Sequence, residues 1–147
     1  KDAMMVLMSI NDRINLTAEQ FARADIDGDG ELTAAEALRI IQAEPERIAA
    51  LWDVTNYALV KFREAGFEIG DTESPIIPLY VRDPEKTFAA TMMAFEEGVF
   101  INPVIPPACA PQDTLVRVAL MATHTKEQVD LAVEKLSKVF RELGVIK

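Results

Sequence analysis

Val99-Phe100-Ile101-Asn102-Pro103-Val104-Ile105-Pro106-Pro107 leads through a turn rich in Pro, Ala and Gln to Thr114-Leu115-Val116-Arg117-Val118-Ala119-Leu120-Met121-Ala122-Thr123-His124-Thr125. Two β-branched runs flank a Pro-broken connection, and this pattern predicts a strand, a loop and a strand. Arg117 is the single fixed cation of the second run. A guanidinium among Val, Leu, Ala and Met is costly to desolvate without an anionic partner. Its planar fork matches a carboxylate well. The alternative is an edge-strand Arg that reaches solvent or pairs with a local Glu.

Working outward, Ile48, Leu51, Trp52, Thr55, Ala58, Leu59, Phe62 and Ala65 recur at helical spacing, with Gly66 as the stop. Trp52 and Tyr57 read as core. Phe67-Glu68-Ile69 reads as a short strand and residues 76–81 as a longer one, with Pro78 tolerated at an edge or bulge. Asp83-Pro84 caps a helix expected to bury Phe88, Met92 and Phe95 before Gly98. Thr125-Lys126-Glu127-Gln128 forms a capping box. The helix it opens carries Val129, Ala132, Val133, Leu136, Val139, Phe140 and Leu143 on one face. This order predicts an α+β fold: a small antiparallel sheet covered by helices on one side, preceded by a small all-α, EF-hand-like segment.

That segment is carried by Asp25-Ile26-Asp27-Gly28-Asp29-Gly30-Glu31-Leu32-Thr33-Ala34-Ala35-Glu36, which fits a twelve-residue calcium loop. Asp25, Asp27 and Asp29 take positions one, three and five. Glu31 supplies a carbonyl, Thr33 acts directly or through water, and Glu36 is the bidentate carboxylate. Residues 2–7 align with residues 36–41, which makes Asp2 the twelfth position of an earlier loop. Thr17 is a plausible helix cap, and the Met4–Met8 cluster reads as the apolar side of a short helix rather than a partner-binding face. The tandem pattern resembles dockerin, the calcium-dependent module that binds cohesin. With the first loop missing, weak calcium binding and little cohesin affinity are expected. The expected division is residues 1–42 as the partial calcium segment, 43–46 as a linker around Pro45, and 47–147 as the α+β domain.

The net charge of −9 argues against a nucleic-acid partner, which needs a basic stripe. Residues 1–46 hold ten acidic against four basic residues, so the surplus sits in the first third. No apolar run is long enough to cross a bilayer. Cys109 is the single cysteine and can form no intrachain disulfide. His124 is the single histidine and reads as a loop or cap residue. The start on Lys1 suggests a trimmed or processed chain.

Leu51-Trp52-Asp53-Val54-Thr55-Asn56-Tyr57, Glu73-Ser74-Pro75-Ile76-Ile77-Pro78-Leu79, Gly98-Val99-Phe100-Ile101-Asn102-Pro103, Leu115-Val116-Arg117-Val118 and Ala122-Thr123-His124-Thr125 together carry a second resemblance. From about Glu46 onward the chain resembles the C-terminal domain of the PLP-dependent α-oxoamine synthases, and within them the serine palmitoyltransferase branch. These enzymes condense an amino acid with an acyl-CoA and release CO2. The resemblance implies that Arg117 binds the amino acid's carboxylate. It also implies PLP as the parent family's cofactor, and amino acid and acyl-CoA as partners once a PLP domain is supplied. Cys109, beside Pro106-Pro107, either touches a CoA thioester or is a plain loop thiol. The family's PLP lysine follows a Gly/Ser/Thr turn, and Lys61, Lys86, Lys126, Lys135 and Lys138 have no such context. The expected function is therefore a fragment or fusion carrying a substrate-gripping domain, inactive alone, with one calcium loop. The alternative is a calcium-dependent interaction module. The synthase part implies a cytoplasmic protein and the dockerin part a secreted one.

Overall fold

The computed structural model describes residues 16–25 and 28–147. The chain forms two compact units, one up to Ile48 and one from Ala49. In the first unit, Thr17 caps helix α1 (Ala18–Ala24) through a reciprocal box with Gln20. Helix α2 (Ala34–Ala43) follows the acidic loop. The Met4–Met8 cluster, the aligned residues 2–7 and Asp27 lie outside the described residues, as does the side chain of Glu36.

Pro45 opens α3 (Pro45–Glu64), where its missing N–H costs nothing. The helix ends where Gly66 adopts φ +87°, which a side chain would resist. Gly66 N–H reaches Arg63 O at 3.0 Å and Phe67 N–H reaches Phe62 O at 3.0 Å. The Phe62 and Phe67 rings meet edge-on at 5.3 Å, the apolar contact that accompanies this type of helix stop. Phe140 packs on Phe67 at 4.9 Å and completes an aromatic column in the core.

Strand β1 (Ile76–Tyr80) is followed by α4 (Pro84–Glu96), β2 (Asn102–Val104), a 3-10 turn (Pro111–Asp113), β3 (Leu115–Ala119) and α5 (Lys126–Glu142). The sheet order is β1-β3-β2, all antiparallel, so β3 is central and both proline-bearing strands are edges. Ile77 faces Val118 and Leu79 faces Val116, and these four side chains are buried. The caps at Asp83 and Thr125 form as the sequence suggests. The fold is thus α+β, with a helix-covered antiparallel sheet.

Four expectations need correction. Phe67-Glu68-Ile69 is extended, with Phe67 and Ile69 buried, but its one backbone bond to the sheet runs from Tyr80 N–H to Glu68 O (2.9 Å), and it forms no strand. The two long runs shorten to three and five residues, because prolines and turn residues end the ladders. Trp52 is 41% exposed, since Val54, Thr55, Ala58, Leu59 and Phe62 turn inward instead. Helix α4 buries Thr87, Ala90 and Ala94 and exposes Phe88, Met92 and Phe95. Small side chains let that helix approach its neighbours closely, whereas large ones would hold it off.

Acid should destabilise the second unit. Hydrogen bonds hold three carboxyls below their ordinary value of 4.5: Glu68 by Arg82, Glu97 by Lys138, and Glu127 by its own backbone N–H and then Thr125. The unfolded chain therefore binds more protons as pH falls. The stabilisation is present above the ordinary carboxylate range and drains away as pH drops through 4.5 and below it. Thermal melts should show a Tm that is flat near neutrality and declines in acid; a Tm that rises on acidification would contradict this.

Candidate functional site

Alternation along β3 sends Val116 and Val118 into the core and Arg117 to the opposite, open face. Arg117 lies across from Pro78 of β1 and Asn102 of β2, so its row on the open face is Pro78, Arg117, Asn102. The guanidinium is exposed and has no ion-pair or hydrogen-bond partner among the described residues. The desolvation cost foreseen for a cation in this apolar run is avoided, because the strand's two-residue period keeps it out of the core. An exposed, unpaired guanidinium on a central strand can donate two parallel hydrogen bonds to a planar anion.

Arg82 contacts the segment that leads into β3. Its backbone sits at φ +66°, a left-handed conformation that costs a non-glycine residue about 1–2 kcal/mol. Val81 N–H and Arg82 N–H both donate to Thr114 O at 3.0 Å. The Arg82 side chain ion-pairs with Glu68, reaches Asp113 Oδ1 at 3.1 Å and Gln112 O at 3.3 Å, and lies 4.2 Å from the centre of the Tyr80 ring. No sequence signal marks it, since an Arg before Asp-Pro reads as plain loop.

Cys109 donates its thiol to Val104 O at 3.4 Å. His124 Nδ1 accepts Met121 N–H at 3.1 Å, as expected of a loop residue. It also borders an open cleft of about 370 Å³ with Phe100, Leu120 and Leu131.

In the acidic loop, Asp25 Oδ1 accepts Gly28 N–H at 2.7 Å and Oδ2 accepts Gly30 N–H at 3.0 Å. Asp29 Oδ1 accepts Glu31 N–H at 2.8 Å. Among the described residues no three His, Cys, Asp or Glu side chains converge on a metal position. The expected ligand set of Asp25, Asp27, Asp29, Glu31, Thr33 and Glu36 is therefore not assembled by the described residues. Asp25 and Asp29 spend carboxylate oxygens on folding the loop, while Asp27 and the Glu36 side chain lie outside the description.

The helix-covered antiparallel sheet, with Arg117 on its open face, defines a small α+β domain. Residues 28–136 match the aminotransferase class I and II family, and the chain belongs to that family. The match begins inside the acidic loop. The chain is 78% identical over 113 residues to a serine palmitoyltransferase of Bacteroides thetaiotaomicron, which covers 77% of this chain and 29% of that relative. It is 76% identical over 114 residues to one of Bacteroides ovatus, covering 78% and 29%. The solved serine palmitoyltransferase of Sphingomonas wittichii superposes with a TM-score of 0.71 at 28% identity, over 78% of this chain and 29% of that one. The chain thus spans under a third of the length of these relatives.

PLP is the family's cofactor. Lys61 lies on α3, Lys86 on α4, and Lys126, Lys135 and Lys138 on α5, whereas Arg117 faces out from a strand. Lys126 pairs with Asp53, and Lys138 with Glu97. No described helix is long and apolar enough to cross a membrane.

Proposed function

We propose that this chain carries the amino-acid-carboxylate-binding part of a PLP-dependent acyl-CoA:amino acid C-acyltransferase, with Arg117 gripping the carboxylate, and that alone it performs no condensation. The observation that supports this is the unpaired Arg117 at the centre of an open sheet face. The high identity to serine palmitoyltransferases supports serine and a long-chain acyl-CoA as the substrates of a completed enzyme. Incubated with PLP, serine and palmitoyl-CoA, the chain should yield no condensation product. Residues 49–147, put in place of the matching segment of the Bacteroides thetaiotaomicron enzyme, should sustain condensation. Product from the chain alone, or a folded but inactive chimera, would refute the proposal.

A second reading, a calcium-binding interaction module, is favoured by the helix–loop–helix order and the glycine amides gathered on Asp25. The donor types suit Ca2+, a hard cation that takes oxygen ligands. Calorimetric Ca2+ binding that disappears in Asp25→Ala would support the module, and no heat at millimolar Ca2+ would discard it.

A further inference from the structure

Arg82 holds the segment in front of β3 by both its backbone and its side chain. Its N–H and that of Val81 close on Thr114 O, three residues before Arg117. Its guanidinium bridges Glu68 on one side with Asp113 and the Gln112 carbonyl on the other. The 3-10 turn Pro111–Asp113, the last element of the Pro-rich connection, is thereby tied to the end of β1. Beyond Tyr80 and Leu115 the β1–β3 ladder stops, so these contacts are what continue it. A left-handed φ at a position where glycine would be unstrained is a local cost that the side chain's bonds offset.

We infer that Arg82 is a positioning residue: its clamp on Gln112, Asp113 and Thr114 sets the height and direction of β3, and so the aim of Arg117 at a carboxylate. This rests on the carboxylate-binding reading of Arg117. A flexible lead-in would let the strand fray and the guanidinium wander, and small displacements of a recognition group are expensive.

The test uses the full chain, isotope-labelled, followed by NMR titration with serine and with ethanolamine, which lacks the carboxylate. Arg82→Gly removes the guanidinium's bonds to Glu68, Gln112 and Asp113, keeps the backbone N–H bond to Thr114 O, and suits φ +66° without strain, so it separates aiming from stability. Amide exchange over residues 112–117 should quicken about 10-fold while Tm stays level or rises. Serine affinity should weaken about 5-fold or more. Arg82→Lys, which keeps the charge but not the fork, should fall between the two. Unchanged local exchange together with unchanged serine affinity would overturn the proposal. So would a general loss of protection with a lower Tm, since that marks a merely structural residue. If the unaltered chain binds serine no better than ethanolamine, the Arg117 reading fails, and the exchange data still decide whether Arg82 orders β3.

Discussion

Arg117→Ala, introduced into the chimeric synthase, is expected to raise the KM for serine about 10–100-fold and to leave the KM for acyl-CoA unchanged. A hydrogen bond to a charged group contributes about 1.5–3 kcal/mol, and 1.4 kcal/mol corresponds to a factor of ten. A contact that grips the ground state and the transition state equally appears in KM with kcat preserved. Arg117→Lys should recover part of the loss, because an ammonium keeps the charge and forfeits the parallel pair of donors. Stability should move by no more than about 0.5 kcal/mol, since the side chain is exposed and has no internal partner among the described residues. Steady-state kinetics with serine varied at saturating acyl-CoA would decide it. An unchanged serine KM would remove Arg117 from the binding site.

The largest stability effect should come from Phe140→Ala. The ring is fully buried and stacks edge-on with Phe67, and the residue's carbonyl accepts Val145 N–H at 2.8 Å after the α5 stop. Removing a buried aromatic costs about 3–5 kcal/mol, against a total of roughly 5–15 kcal/mol for a small domain. Denaturant melts followed by circular dichroism should show the second unit near its unfolding midpoint under mild conditions. The paired control is Phe95→Ser, expected to shift stability by no more than about 0.5 kcal/mol because Phe95 is 65% exposed. Equal losses in the two variants would contradict the burial order of α4 and α5.

Local chemistry was legible in the chain itself. Asp83 before Pro84, Thr125 before Gln128, and Gly66 and Gly144 after apolar helices specify starts and stops that involve neighbours only a few residues away. The alternation of Val116, Arg117 and Val118 likewise fixed that Arg117 would oppose the buried face once β3 formed. The inward face of α4 was not legible. Phe88, Met92 and Phe95 make one helical stripe and Thr87, Ala90 and Ala94 another, and periodicity alone cannot rank them. Which stripe turns inward depends on how closely the helix can approach its neighbours, a property of side chains distant in sequence. The same holds for Arg82, whose left-handed backbone is supported by Glu68, fourteen residues back, and Asp113, thirty-one ahead. Amino-acid order therefore determined the helix starts and stops and the side of the strand on which the cation stands. Only tertiary packing chose the face of α4 and set the clamp that leads into β3, because both depend on contacts whose partners the chain brings together only after it folds.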